Sequence, residues 1–337
     1  MNTKRIVIAT GIYPPEVGGP AQYAHELARV WRNDGYHVDI EVFSRFNYLP
    51  TGLRHLAYFL TVFIPIFRAD RVFVLDTYSA ALPAVLASRI CGTRVVIRTG
   101  GDFLWESYVE RTKDMVLLRD FYTTSLSKLS FKEKLILTFT RWTLSSVDAI
   151  IWSTQWQRDI FMKPYKLEHQ RHFIVENYYG PRLEPYEPVQ KNFIVATRPL
   201  VHKNLQMIQS VFSRTSITSC HAHIDQGRGT HEVFIEKMRH SYAVILVSIS
   251  DISPNMILEA IRCQKPFIVT RETGLYDRIK DIALFVDPQD QSDVYNKVLW
   301  LLDPENYKNQ VQKIKQFTFV HDWDEIAKEY MEVCNKI

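Results

Sequence analysis

The sequence predicts an α/β fold with two Rossmann-like, doubly wound domains that face a cleft. Short apolar runs typical of buried strands alternate with segments of helical spacing along the chain. Regular β-α-β alternation is typical of a mostly parallel sheet with helices on both faces. A polar, proline-bearing segment from Tyr178 to Lys191 interrupts the alternation and has the composition of a linker. Because 337 residues suffice for two ordinary domains, we place the domains at 1–180 and 181–337.

The strand candidates are apolar runs of four to six residues, with a three-residue run at the end. In the first domain they are Arg5–Thr10, Val38–Phe43, Arg71–Leu75, Arg94–Ile97 and Ala149–Ser153. In the second they are Phe193–Thr197, Ser219–Ile224, Ala243–Ser248, Pro266–Thr270 and Leu284–Val286. The last stretch, Trp323–Ile337, has the spacing of an amphipathic helix.

The bulk composition is that of a soluble globular protein, with 46% hydrophobic and 23% charged residues. A net charge of +4 is small for this length, and no dense basic stripe indicates nucleic-acid binding. The four cysteines lie far apart, which is typical of reduced thiols in a cytosolic protein. The N-terminus has the pattern of a first strand, so we expect no secretory signal. The longest apolar run is too short to span a bilayer.

The most informative motif is a pair of acids, Asp251 and Glu259, around a predicted helix start. Ser253 suits the N-cap position and Pro254 the first helical position. The first backbone N–H groups of such a helix, around Ser253, Asn255 and Met256, form an anion site that can hold a phosphate. The preceding apolar strand places the motif at a strand end, where open α/β sheets bind ligands. Acids beside a phosphate site suit a sugar nucleotide, since they accept hydrogen bonds from hydroxyls.

Two further elements follow the first strand of each domain. Arg198 and Lys203 supply two cations that could neutralise a diphosphate leaving group without a metal ion. Gly18 and Gly19 allow backbone N–H groups to approach a ligand closely, although a structural turn explains them equally well. The dinucleotide fingerprint G-x-G-x-x-G is absent, which disfavours a nicotinamide or flavin enzyme.

These elements, in this order, resemble the retaining GT-B glycosyltransferases of the large family 4 group, over nearly the whole chain. The resemblance implies that Glu259 binds the donor ribose and Asp251 a hydroxyl of the transferred sugar. It implies that Arg198 and Lys203 bind the diphosphate with help from Gly19. The final helix would pack back on the first domain, which would bind the acceptor, and the second domain would bind the donor.

The sequence departs from the family pattern in three places. Asp251 stands where glutamate is usual. The second domain is shortened, because only one helix, about Glu232–His240, fits where the family has an extra strand and helix. The segment Gly227–Thr230 could substitute for that missing unit. Asp102 stands where many relatives carry a histidine near the acceptor, so it is either a catalytic polar group or a helix or turn cap.

The resulting hypothesis is a cytosolic, retaining, metal-independent glycosyltransferase that needs no cofactor. Its donor would be a nucleotide sugar, UDP- or GDP-linked, and its acceptor a hydroxyl of a glycan or a polyprenyl-linked lipid. Two alternatives stay open: a sugar-nucleotide epimerase on the same fold, and a catalytically silent subunit of a glycan-assembly complex. A metal site at Cys220, His221, His223 and Asp225 is a weaker alternative, based on two histidines facing one side of a strand.

The segment 45–71 combines arginines with aromatic and apolar residues. This mixture favours either peripheral contact with an anionic membrane, on the inner face of the cell membrane, or a buried helix with basic ends. Membrane contact would suit a lipid-linked acceptor.

Overall fold

A computed structural model describes residues 4–16, 18–195, 198–227 and 229–337. The chain divides into two compact units. The first unit contains residues 1–107, 122–177 and 323–337, and the second contains 108–121 and 178–322. The division differs from the linear boundary at residue 180, because 108–121 joins the second unit. The C-terminal helix lies in the first unit.

The first unit is built on a parallel sheet of six strands. The strands are β1 (Arg5–Thr10), β2 (His37–Val42), β3 (Arg71–Val74), β4 (Arg94–Thr99), β5 (Ala149–Trp152) and β6 (His172–Ile174). Their spatial order is β2-β1-β3-β4-β5-β6, and each pair is parallel. The strand order reverses direction between β1 and β3, which is the switch point of a doubly wound sheet.

Helices follow most strands of the first sheet. They are α1 (Gly19–Asn33), α2 (Thr51–Phe67), α3 (Ala81–Cys91), α4 (Phe103–Thr112), α5 (Leu118–Thr124), α6 (Phe131–Ser145) and α7 (Gln155–Tyr165). Short 3-10 turns occur at Phe43–Phe46 and Leu126–Lys128. Helix α6 begins with a capping box in which Ser130 and Glu133 each satisfy a backbone N–H of the other residue.

The second unit has a smaller parallel sheet of five strands. The strands are β7 (Lys191–Ile194), β8 (Ala222–Asp225), β9 (Ala243–Leu246), β10 (Phe267–Thr270) and β11 (Leu284–Val286). Their order is β11-β10-β9-β7-β8, so the switch point lies between β7 and β9. All residues of β9 and β10 are buried, because helices cover both faces of the sheet.

The helices of the second unit lie between and after these strands. They are α8 (Leu205–Phe212), α9 (Thr215–Thr218), α10 (His231–His240), α11 (Asn255–Arg262), α12 (Tyr276–Ile279), α13 (Gln291–Leu302) and α14 (Pro304–Gln316), with a 3-10 turn at Val201–Lys203. The final helix, α15 (Trp323–Asn335), belongs to the first unit.

Helix α15 packs against α1 and the sheet of the first unit. The indole Nε1 of Trp31 donates to the carbonyl of Ala327 at 3.3 Å, and the Arg71 guanidinium donates to the carbonyl of Cys334 at 2.8 Å. Tyr23 meets the Trp323 ring edge-on at 4.8 Å between ring centroids. The C-terminal residues therefore complete the core of the first unit.

The predicted fold class is confirmed: both units are doubly wound parallel α/β sheets, and the second is the smaller. One strand was placed too early. Strand β8 begins at Ala222 instead of Ser219, because α9 and a left-handed His221 (φ 56°) precede it. The predicted end of the first strand of this unit, residues 196 and 197, lies outside the described residues. No helix in the described ranges combines the length and apolar character that a membrane crossing requires.

Candidate functional site

The switch point of the second sheet brings together two of the predicted site residues. Strands β7 and β9 are neighbours, with Phe193 opposite Ala243, and the loops after them carry Lys203 and Asp251. The Nζ atom of Lys203 lies 2.6 Å from Oδ2 of Asp251, and the two side chains are only 16% and 15% exposed. This ion pair therefore occupies the place where doubly wound sheets bind ligands.

Backbone hydrogen bonds fix the position of Asp251. Its N–H donates to the carbonyl of Glu272 at 2.9 Å, and it forms a bridge with Thr273. The Ser248 hydroxyl donates to Oδ2 of Asp251 at 3.3 Å. Since Glu272 and Thr273 follow β10, the loops after β9 and β10 hold this carboxylate in one position.

His202, which the sequence analysis did not single out, is buried beside this pair. Its carbonyl accepts a hydrogen bond from the N–H of Ile249 at 2.9 Å. Burial, assisted by the positive charges of Lys203 and Arg198, lowers the pKa of His202 to about 4, although the Asp251 carboxylate acts in the opposite direction. The imidazole is therefore neutral at physiological pH. Arg198 itself is exposed, at the start of the same loop.

Helix α11 begins four residues after Asp251. The structure corrects the predicted cap: Pro254, and not Ser253, holds the N-cap position, with an extended backbone (φ −70°, ψ 108°). Its carbonyl accepts from the N–H of Ile257 at 2.9 Å. Asn255 and Met256 are the first helical residues, and the first turn carries no acidic residue. The positive end of the helix therefore has no carboxylate of its own to neutralise it.

Glu259 is held by partners different from those of Asp251. It lies in the middle of α11 and is buried. Its Oε2 lies 3.3 Å from Nη1 of Arg262, one turn along the helix, and its Oε1 lies 3.6 Å from Nε2 of His231 at the start of α10. Glu259 is thus a positioned acid whose two oxygens each face one basic group.

A second buried acid, which sequence reasoning missed, lies next to the pair. Oε1 of Glu272 is 3.0 Å from Nη2 of Arg119, and its side chain is 4% exposed. Its Oε2 is buried without a hydrogen-bond partner among the described residues. Burial raises the pKa of Glu272, and the Arg119 charge works in the opposite direction. Only tertiary structure could identify it, because Arg119 is 153 positions away.

In the first unit, the glycine loop after β1 leads directly into a helix. Gly18 is the N-cap residue of α1, Gly19 begins the helix, and Pro20 follows in its first turn. A Cβ atom at Gly18 would lie 2.7 Å from Cδ1 of Ile12, so a larger residue there would require the end of that side chain to shift. The first turn of α1 also carries no acidic residue.

Asp102 is buried and makes the contacts of a helix cap. Its Oδ1 accepts from the N–H groups of Leu104 and Trp105 at 3.0 and 3.1 Å, at the start of α4. Its Oδ2 accepts from the hydroxyl of Tyr122, which is also 2.6 Å from the hydroxyl of Tyr165. Burial raises the pKa of Asp102 to about 6, although these hydrogen bonds act in the opposite direction. Of the two roles predicted for Asp102, this geometry favours the cap.

The structure does not support the arrangement on which the alternative metal site was based. His221 precedes β8 in a left-handed conformation, so His221 and His223 do not share one face of a strand. In the described ranges, no group of three or more His, Cys, Asp or Glu side chains is arranged to hold a metal ion. Arg228, in the segment suggested to replace the missing unit, lies outside the described residues.

No protein-family model matches this sequence, and no curated protein matches it. Solved structures do match its fold. Sucrose-phosphate synthase from Thermosynechococcus elongatus is similar with a TM-score of 0.70 and 12% identity, covering 99% of each chain. WaaG, a glycosyltransferase involved in lipopolysaccharide biosynthesis, matches with a TM-score of 0.67 and 13% identity over 98% of each chain.

A third similar structure was solved with a nucleotide. Anabaena Alr3699/HepE in complex with UDP matches with a TM-score of 0.65 and 11% identity, covering 99% of this chain and 100% of the other. At these identities the likeness establishes the fold, which this chain shares with enzymes of the GT-B type.

Proposed function

We propose that this protein is a glycosyltransferase that moves a sugar from a nucleotide-sugar donor to a hydroxyl of an acceptor glycan or lipid. The observation that carries the proposal is the Lys203–Asp251 ion pair at the switch point, four residues before the start of α11. A cation, a carboxylate and a helix N-terminus in one place suit a diphosphate joined to a hydroxyl-rich sugar.

The donor diphosphate would lie at the N-terminus of α11, near Asn255 and Met256, with Ser253 in the preceding turn. Lys203 has three N–H donors and can bond a phosphate oxygen while it keeps Asp251 in place. Arg198 would supply the second charge as the diphosphate leaves. Because two cations are present for this task, we expect no need for a metal ion or another cofactor, and chelation with EDTA should leave activity unchanged.

Asp251 would accept a hydrogen bond from a hydroxyl of the transferred sugar, and Glu259 would bind the ribose hydroxyls. The likeness to a UDP-bound structure supports a UDP-linked donor, with a GDP-linked donor as the second choice. We propose retention of anomeric configuration, by front-face attack of the acceptor hydroxyl on the side where the diphosphate departs.

The acceptor would bind on the first unit, whereas Gly18 and Gly19, at the start of α1, would keep their predicted role as donor-binding residues. We propose a glycan or polyprenyl-linked acceptor and a cytoplasmic protein, peripheral on the inner face of the cell membrane. The segment 45–71 supports this location, because α2 exposes an apolar face.

We expect a UDP-sugar to raise the melting temperature of the protein, in a thermal-shift panel of UDP-, GDP-, ADP- and dTDP-sugars. Glu259→Gln should abolish this shift, because a neutral amide cannot replace the acid that would bind the ribose diol. The matched control is Glu236→Gln, since Glu236 is half exposed and also pairs with an arginine and a histidine, Arg239 and His240.

An unchanged shift in Glu259→Gln would remove this residue from the donor site. The reaction itself is tested by following the donor with an acceptor present and absent. Sugar transfer only with acceptor supports the proposal. An isomerised product formed without acceptor would indicate an epimerase, and binding without turnover would indicate a silent subunit.

A further inference from the structure

Helix α2 has apolar residues on two opposite faces, although only one of these faces packs against the rest of the unit. Its inner face buries Tyr58, Val62 and Ile66. Its outer face exposes a stripe with spacings of three and four residues: Leu53, Leu56, Leu60, Ile64 and Phe67. Each side chain of this stripe is more than half exposed. A helix that is apolar all round is normally buried, so the exposed stripe implies a covering surface.

Two neighbouring helices expose similar stripes. Helix α3 packs against both α2 and α6, so the three helices form one layer of the first unit. On α3, Leu86 and Ile90 are exposed one turn apart. On α6, the exposed residues are Phe131, Leu135, Phe139 and Trp142. We call these three exposed stripes the outer face.

The exposed charged side chains of these three helices are all basic. Helix α2 carries Arg54, α3 carries Arg89, and α6 carries Lys132, Lys134 and Arg141. The three helices contain a single acid, Glu133, and its carboxylate is buried in the capping box of α6. Arg89, Lys132 and Lys134 are exposed. An apolar surface with basic groups and no exposed acid is complementary to anionic lipid headgroups above an acyl layer.

We propose that the outer face of α2, α3 and α6 docks this protein on an anionic phospholipid bilayer. The helices lie in the plane of the interface, so that leucine and aromatic side chains enter the acyl boundary while lysines and arginines bind headgroups. Helix α2 has 17 residues and is therefore roughly 25 Å long, which suits lying on a membrane. The proposal deepens the proposed function, on which it rests for the peripheral location and the lipid-linked acceptor, by naming the docking surface and the class of lipid.

The test is flotation of the full-length protein with vesicles of phosphatidylcholine alone or with phosphatidylglycerol added. We expect binding to the anionic vesicles, weakened by salt, and little binding to the neutral ones. The triple variant Leu56→Ser, Leu60→Ser, Ile64→Ser should bind at least about tenfold more weakly, because three apolar side chains no longer enter the membrane. Lys132→Glu with Lys134→Glu should reduce binding to anionic vesicles only.

The matched control is Val189→Ser, which removes an apolar side chain that is 95% exposed in the second unit. It should bind like the unchanged protein. Equal vesicle binding by the triple variant would overturn the proposal. A second result would also overturn the proposal: no vesicle binding, and a dimer in light scattering that becomes monomeric in the triple variant. The outer face would then be the interface between two copies of this chain. The donor thermal shift, measured on the same variants, reports separately on the proposed function.

Discussion

Lys203→Met is expected to lower kcat/KM for sugar transfer by roughly 100- to 1000-fold, the loss typical of removing one charge-stabilising group from an active site. Methionine keeps most of the length of the unbranched side chain but cannot donate to a phosphate oxygen. The variant removes the cation that would stabilise the departing diphosphate. Steady-state kinetics with the donor identified in the thermal-shift panel measure the loss.

The same change should destabilise the protein without donor. Nζ of Lys203 and Oδ2 of Asp251 are 2.6 Å apart and both side chains are mostly buried, so the methionine leaves Asp251 with the Ser248 hydroxyl as its remaining side-chain partner among the described residues. We expect a loss of about 1–3 kcal/mol in the free energy of unfolding, measured by urea denaturation. Asp251→Asn should remove part of the same stabilisation, because the two side chains share one interaction. A double-mutant cycle with Lys203→Met and Asp251→Asn measures the coupling free energy.

The second unit offers a matched control in the partly exposed pair of Lys237 and Asp225. Nζ of Lys237 lies 3.9 Å from Oδ2 of Asp225, and the two side chains are 39% and 34% exposed. Lys237→Met should cost at most about 1 kcal/mol and leave kcat/KM unchanged. If Lys203→Met kept the transfer rate of the unchanged protein, Lys203 would be a structural residue and the leaving-group role would be wrong.

Most strands could be predicted from sequence because the central strands of the sheets are buried on both faces. Such strands appear as continuous apolar runs, as in Ala243–Leu246, and nearly every predicted run overlaps an observed strand. Strand β8 was placed too early and the edge strand β6 was not predicted, since the residues of both strands are mostly only partly buried and their pattern does not separate strand from turn.

The nearness of Lys203 and Asp251 followed from a general rule and not from their spacing in the chain. Both residues come after strands of one parallel sheet, and the carboxyl ends of such strands meet at one edge. This rule predicts which loops lie close together, but it does not predict the contacts of their side chains. The ion pair, and the contact of Glu259 with His231, depend on packing that no local pattern encodes, whereas Glu259 and Arg262 are i,i+3 neighbours on one helix.

The shift of the helix cap from Ser253 to Pro254 shows a limit of local rules. Serine is the better cap in isolation, but the helix start is also fixed by the loop after β10, which holds Asp251 and Ile252 through backbone hydrogen bonds. Glu272 and His202 were missed for a related reason. Their significance comes from burial beside charged groups, which a sequence does not reveal.

For Asp102→Asn we expect a gain in stability over the unchanged protein that grows as the pH rises. The pKa of Asp102 is raised to about 6 in the folded state, against about 4 in an unfolded chain. The folded state thus holds a proton there that the unfolded state releases, between about pH 4 and 6. The stability that this group contributes is fully present below pH 4 and is lost as the pH rises through 6.

The size of the effect follows from the shift. A pKa raised from about 4 to about 6 corresponds to roughly 3 kcal/mol of unfolding free energy between low pH and pH 7. Asparagine does not titrate, and its Oδ1 can still accept from the N–H groups of Leu104 and Trp105. Its amide can donate to the Tyr122 hydroxyl oxygen. The difference in unfolding free energy between the two proteins, measured in urea from pH 4.5 to 7.5, isolates Asp102, because the other groups cancel.

The control for this prediction is Asp303→Asn. Asp303 caps α14 with the same geometry, accepting from two backbone N–H groups at 3.0 Å, but it lies on the surface. The comparison therefore separates burial from capping. Transfer activity of Asp102→Asn decides between the two roles of the residue. Activity close to that of the unchanged protein fits the cap, whereas a loss above 100-fold in a well-folded variant would identify Asp102 as a catalytic residue.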